Sequence, residues 1–290
     1  MSNLHRGLPR VPRRLCQPSW LNKTQLVQMA FRQLNRLSPY FFDRSFTIAA
    51  DVAPAVLTRE ALRHIRDLAQ MSANQNDVLQ FLAFAAPLVQ HSSGEFFQDL
   101  WALWEAGGKR EGFFVEFGAA GGKEKSNTYF LEKAMGWKGI VAEPNPNFLA
   151  SVREHRSCVV SEKCVYSRSG ERIEFLATEV GELSRIASID PKDGHQRNDH
   201  AVVKVETVSL IDLLIEGQAP KDVDFLSIDT EGSEYEILSH FDFDHWNLRT
   251  IAVEHNGTEA RQKIFELLTH HGYRRKWPEV SLCDDWYFRA

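Results

Sequence analysis

The stretch FFVEFGAAGGKEKSNTYFLEKAMGWKGIVAEPNP, residues 113–146, decides the fold. FFVEF is a short apolar run of the kind that makes a buried strand, and Gly118, Gly121 and Gly122 follow it at once. A helix then opens at Ser126, Asn127 and Thr128, all three able to cap it. GIVAE makes a second strand and stops on Glu143-Pro144. This order is that of a nucleotide cradle. The glycine turn admits close approach to the backbone and the helix N-terminus offers free N–H donors. Glu143, 25 positions beyond Gly118, can accept the hydroxyls of a ribose. The spacing G-A-A-G-G is neither the dinucleotide G-x-G-x-x-G nor the phosphate loop G-x-x-x-x-G-K-[ST], and by itself it is also that of a plain tight turn.

Outward from this unit, strand-like runs alternate with helical ones. CVVSEKCVY, VDFLSI and TIAVEH read as strands, with helices from Pro146, Ser233 and Thr258 between or after them. The alternation predicts an α/β fold with a mainly parallel sheet and helices on both faces, occupying residues 112–290. IEFLAT (173–178) and VVKVETV (202–208) read as a hairpin-like excursion, and Tyr273–Trp277 and Trp286–Arg289 as antiparallel strands at a sheet edge. Residues 23–111 read as a helical N-terminal region. Leu26, Ala30, Leu34 and Leu37 share one face, as do Leu62, Ile65 and Leu68; a third segment starts near Val78 and is interrupted by Pro87; a fourth carries Phe96, Leu100 and Trp104 and ends at Gly107-Gly108.

Composition narrows the function classes. Of 290 residues, 43% are hydrophobic and 25% charged, an ordinary globular balance, and no apolar run is long enough to cross a bilayer. Cys16, Cys158, Cys164 and Cys283 form no C-x-x-C pair, which points to a reducing, cytoplasmic setting. The net charge of −5 conceals an asymmetry: residues 1–42 hold seven Lys and Arg and no acid. The remaining 27 basic and 39 acidic residues give −12 for residues 43–290. So acidic a body has no electrostatic reason to track a phosphate backbone, and nucleic acid is excluded as a partner. Residues 1–22, rich in Arg and Pro, read as a flexible basic arm. The apolar helical faces of the N-terminal region need a surface to cover, either the sheet's own helices or a second copy of the chain, so a homo-oligomer through them is one expectation.

Two further strand ends carry acids. VDFLSIDTEGSE ends a buried strand on Asp229, followed by Glu231 and Glu234; Glu234 reads as a first-turn helix acid, whereas Asp229 at the end of an apolar run needs a partner to offset its desolvation. The next strand ends on Glu254-His255-Asn256. If the strands are neighbours, Asp229, Glu231, Glu254, His255 and Asn256 meet in one crevice, as a base, a substrate clamp or a set of metal ligands.

FVEFGAAGG with SNTYFLE, GWKGIVAEPNP, CVYSRSG, and VDFLSIDTEGSEYEIL with IAVEHN together resemble the FkbM family of S-adenosylmethionine-dependent methyltransferases, over roughly residues 112–290. The resemblance implies a Rossmann-like class I methyltransferase sheet. It also implies that Glu116 and Gly118 through Gly122, with Ala119, hold the methionine part of S-adenosyl-L-methionine, and that Ser126, Asn127 and Thr128 support it. Glu143 with Pro144 would bind the ribose, Cys164-Val165 would lie against the adenine, and Asp229 would border the cofactor. The chain departs from its relatives in having Glu116 and Ala119-Ala120-Gly121 where Asp and Ala-Asn-Asp are common, and Cys164-Val165 where an acid or Asn is often found against the adenine. Family members methylate hydroxyl groups, often on sugars or natural products, so the implied acceptor is a small molecule or a glycan. A sulfonium methyl needs alignment and removal of the acceptor's proton. Asp229, with Glu231 and His255, can take that proton, or a Mg²⁺ or Ca²⁺ on the same carboxylates can acidify the hydroxyl first. An NAD(P)-dependent oxidoreductase uses the same cradle, but the missing G-x-G-x-x-G counts against it; a non-catalytic cofactor-binding scaffold is the other alternative.

Overall fold

The computed structural model describes residues 77–179, 183–190, 200–278, 281 and 283–289. The expected arm at 1–22 and the helical faces at Leu26–Leu37 and Leu62–Leu68 lie outside them.

Helices α1 (Asp77–Ala85) and α2 (Gln98–Glu105) precede β1 (Phe113–Phe117). α3 (Tyr129–Met135), β2 (Lys138–Ala142), α4 (Pro146–His155) and β3 (Val159–Ser161) complete the first half. Next come β4 (Cys164–Tyr166), β5 (Arg172–Thr178), β6 (Arg185–Ile186), β7 (His200–Ser209) and α5 (Leu210–Glu216). The chain then continues through β8 (Asp222–Ile228), α6 (Glu234–Ser239), β9 (Asn247–Glu254), α7 (Ala260–His270), β10 (Tyr273–Lys276) and β11 (Asp284–Arg289).

Seven strands form one sheet in the order β10-β11-β9-β8-β1-β2-β3. β3, β2, β1, β8 and β9 run parallel, and β11 enters antiparallel between β9 and β10. The chain moves outward from β1 through β2 to β3 and later returns on the other side of β1 as β8. That reversal opens a crevice at the carboxyl ends of β1 and β8, the place where such sheets bind ligands. The expected excursion is larger than a hairpin: β5 and β7 pair antiparallel and, with β4 and β6, make a second sheet in the order β4-β7-β5-β6. Its apolar face, including Cys164, Phe175, Ala177 and Ile186, closes on itself beside the crevice.

Period-two alternation deals the strand side chains to two cores. Val115, Phe117, Ile140, Ala142, Ile251, Val253 and Tyr287 meet α5, α6 and α7. Phe114, Val141, Phe225, Ala252 and Trp286 meet α1 through α4. Trp101 of α2 stacks on Trp286 of β11, centroids 5.1 Å apart, while Gln98 one turn earlier donates to Asp284 two residues earlier at 2.7 Å. α2 is thereby a fixed layer of the sheet, and Lys276 of β10 secures its end by pairing with Glu105 at 2.6 Å.

Candidate active site

One cavity of about 950 Å³, its open mouth included, occupies the crevice. Gly118, Ala119 and Ala120 after β1, Glu143 and Pro144 after β2, and Cys164 and Val165 of β4 form one end of it, with Phe175, Ser184 and Ile186 from the second sheet. Asp229, Thr230 and Glu231 after β8, Glu254 at the end of β9 and Asp284 at the start of β11 form the other, with Glu95, Phe96 and Gln98 from the segment entering α2.

Gly118 is set by a neighbour rather than by open space. Its φ is +85°, and a Cβ there would lie 1.7 Å from the carbonyl oxygen of Asp229, whose N–H donates to Phe117 at 3.2 Å. The two strand exits are locked together at this point, which fixes Asp229 against the loop. Gly121 and Gly122 face α4 instead, near Ser151, Val152 and Arg156, and do not line the cavity.

Two buried glutamates divide the work of the loop. Glu116 accepts from Ser126 Oγ (2.9 Å), the Asn127 N–H (2.7 Å), Thr128 Oγ1 (2.5 Å) and Arg156 Nη1 (3.1 Å). A carboxylate offers about four lone-pair sites, so Glu116 is filled from within the protein. These bonds hold Ser126 and Thr128 away from the cavity and delay the helix, expected from Ser126, until Tyr129. Arg156 also holds Glu132 at 2.5 Å and is itself fully buried at its side chain. Among the described residues Glu143 accepts from the N–H groups of Ala120 and Asn145, each at 2.8 Å, which leaves about two acceptor sites. Burial pushes its carboxyl from the ordinary 4.5 up to about 7, and the two N–H bonds hold it down only in part. Its environment thus suits a partner that brings hydroxyl donors. Cys164 is an apolar wall: burial pushes its thiol up to about 12. Asn127 lines the cavity between the two ends and donates to Ser227 Oγ of β8 at 2.9 Å.

At the far end the carboxylate oxygens of Asp229, Glu231 and Glu254 all lie within 4.8 Å of one another. Burial, then the charges of Asp229 and Glu231, hold Glu254 well above the ordinary carboxyl range, and it shares a hydrogen bond with Asp229. Burial and these neighbouring charges favour the protonated form of Glu254. Glu231 has φ +57°, a strained conformation for a non-glycine residue that turns it into the cluster. Glu234 accepts from Thr230 and Gly232 backbone N–H groups, each at 3.0 Å, and so braces the loop as its position in the first helical turn suggested.

His255 goes elsewhere. One residue beyond Glu254, it falls on the opposite face of the sheet, where Gly257 N–H donates to its Nδ1 at 2.9 Å and Nε2 faces Asp285 at 3.7 Å. Burial pushes it down to about 4, so the ring is neutral, and it does not line the cavity. Conversely, Glu95, Phe96, Gln98 and Asp284 line the cavity without having been expected there. The signals were thin: an acid beside aromatics before a helix, and an Asp pair opening an apolar strand.

Among solved structures, the chain is similar to a precorrin-6y C5,15-methyltransferase from Geobacter metallireducens GS-15, at 13% identity over 61% of this chain and 72% of that one, TM-score 0.36. It is also similar to MtNAS in complex with MTA and tNA, at 11% identity over 92% of this chain and 97% of that one, TM-score 0.31. No curated protein matches it. The family described as the methyltransferase FkbM domain matches residues 116–275, more than half of the chain and the whole span from the β1 acid to β10, and the chain belongs to that family of methyltransferases.

Proposed function

We propose that the chain transfers the methyl group of S-adenosyl-L-methionine to a hydroxyl of a sugar, glycan or natural-product alcohol. The observation that carries this is a single cavity with a ribose-type acid, Glu143, at one end and a proton-accepting carboxylate cluster, Asp229, Glu231 and Glu254, at the other. The residues fit the cofactor: Glu143 has free acceptor sites for two hydroxyls, and Cys164, Val165, Phe175 and Ile186 offer an apolar slot for a base.

The cofactor supplies a methyl group already activated by its sulfonium. The chain's part is to align the acceptor oxygen with that methyl and to receive the proton as the O–C bond forms and the C–S bond breaks. In this reading Asp229, locked to the loop through Gly118, receives the proton and Glu231 orients the acceptor. The proximity of the three carboxylates favours a second route, in which Asp229, Glu231 and Glu254 would hold a Mg²⁺ or Ca²⁺ that would lower the pKa of the acceptor hydroxyl. Incubation with labelled S-adenosylmethionine and a panel of saccharides and alcohols tests the reading. Asp229→Asn is expected to lower turnover by roughly 10²-fold while the affinity for S-adenosylhomocysteine changes little. Near-normal turnover removes Asp229 from the chemistry, and activity abolished by a chelator and restored by Mg²⁺ selects the metal route.

A further inference from the structure

The family match begins at Glu116 and ends at Arg275, yet the cavity continues past both limits. Glu95, Phe96 and Gln98 lie before it and Asp284 after it. Residues common to a family serve the common reaction; a wall built outside them is where one member sets its own acceptor.

This wall is built. Gly94 bridges to Lys125 of the glycine-rich loop, and Ser93 Oγ donates to the Ser126 carbonyl at 2.7 Å. Asp99 accepts from Ser92 Oγ at 2.7 Å and from the Ser93 N–H at 2.9 Å. Gln98 accepts from the Phe96 N–H at 2.9 Å and reaches 186 positions along the chain to Asp284 at 2.7 Å. A Cβ at Gly94 would approach Gln98, Asn127 and Asp99 oxygens to 3.0–3.1 Å, so this position is tight against both α2 and the loop. The result holds Phe96 and Glu95 at the cavity surface, half-buried.

We infer that the segment Ser92–Gln98, together with Asp284, is the acceptor-selecting wall, and that it selects polyhydroxyl acceptors carrying a positive charge or none over anionic ones. The inference rests on the methyltransferase reading above. Phe96 supplies an apolar plate for the C–H face of a ring, Glu95 and Asp284 supply acceptors for its hydroxyls or an ammonium, and Gln98 ties the two halves into one surface. The charge preference follows from the lining: among the described residues it holds seven carboxyl groups and one lysine, Lys125, 3.5 Å from Glu95, and with Glu143, Glu254 and Asp284 set aside because burial raises them, Glu95, Glu124, Asp229 and Glu231 still outnumber it. A low-dielectric cleft of one sign concentrates ligands of the other and repels its own.

The test uses the full chain, labelled S-adenosylmethionine and one methyl hexopyranoside in three forms: neutral, with an amino group replacing a hydroxyl, and with a carboxylate replacing the primary alcohol. The expected wild-type KM order is amine below neutral below carboxylate, with about a tenfold or greater gap between the extremes. Phe96→Ala is expected to raise KM about tenfold for every acceptor with little change in kcat. Glu95→Lys is expected to narrow or invert the charge order, with S-adenosylhomocysteine affinity unchanged in calorimetry. Equal or better use of the carboxylate form by the wild type overturns the charge selection, a result that needs no variant to fold. Unchanged KM values in both variants overturn the wall. Methylation of none of the three, with S-adenosylhomocysteine still bound, overturns the acceptor class; absence of S-adenosylhomocysteine binding overturns the methyltransferase reading beneath it.

Discussion

Glu143 ties the cofactor reading to a quantity that calorimetry measures directly. With its carboxyl at about 7, roughly half the molecules carry a proton there at pH 7 when the cavity holds no ligand. Ribose hydroxyls donating to the two remaining acceptor sites favour the charged form, so binding must release that proton. Titration of S-adenosylhomocysteine into the protein at pH 7, in phosphate and in Tris, is expected to show about 0.5 proton released, falling towards zero near pH 9. The ligand's own amine also titrates, so Glu143→Gln serves as the control and should lose this component. Equal proton release in wild type and variant would refute the placement of the ribose at Glu143. Stability without ligand gives an independent reading. Between 4.5 and about 7 the folded state binds more protons at this site than the unfolded state does, so stability falls as pH rises through that window. The full effect is about 3 kcal/mol. Gln does not titrate but cannot accept both N–H bonds, a loss of about 1 kcal/mol. The variant should therefore be more stable than wild type by about 2 kcal/mol above pH 8 and less stable by about 1 kcal/mol below pH 4.5.

Two other perturbations bear on the scaffold. Arg156→Met leaves Glu116 and Glu132 without their shared cation in a buried site and is expected to cost about 3–5 kcal/mol, lowering the calorimetric Tm by about 10 °C; a drop below about 2 °C would show that the loop does not depend on this pair. A 109–290 fragment loses α2, uncovering Trp286, Phe114 and Phe225 and leaving Asp284 without Gln98, and is expected to aggregate or lose methylation; a soluble, fully active fragment would show that α2 is not a layer of the domain.

Sequence patterning exposed the parallel sheet because strands buried on both faces leave a dense signal: FFVEF, GIVA and VDFLSI are nearly all apolar, and β1, β2 and β8 are buried along almost their whole length. The carboxyl-end acids at Glu143, Asp229 and Glu254 were legible for the same reason, as charges that interrupt such runs. What sequence did not give was the face. Glu254 and His255 are adjacent in the chain, as are Asp284 and Asp285, and each pair is split across the sheet by the two-residue period, one member entering the cavity side and the other the α7 side. Only the register of β11 against β9 settles which is which, since Asp284 pairs with Glu254. The second sheet was under-read because β4 and β6 are only three and two residues long, too short for any period to register.

The departure at Glu116 also becomes intelligible through its hydrogen bonds. An acid at this point in β1 invites assignment to the cofactor, and two positions on stands Gly118, which does line the cavity. Yet Glu116 has four donors from the protein, while Glu143 has two. Both are buried carboxylates, 3% and 4% exposed, and a buried carboxylate is stable only when its lone pairs are met. For Glu116 that condition is satisfied by Ser126, Asn127, Thr128 and Arg156, and its energy goes into the shape of the loop. For Glu143 it is satisfied in half, and burial holds its pKa high because of it. The less complete of two similar sites is the one built to be finished by a ligand, so loss of Glu116 should appear first in stability and loss of Glu143 first in cofactor affinity.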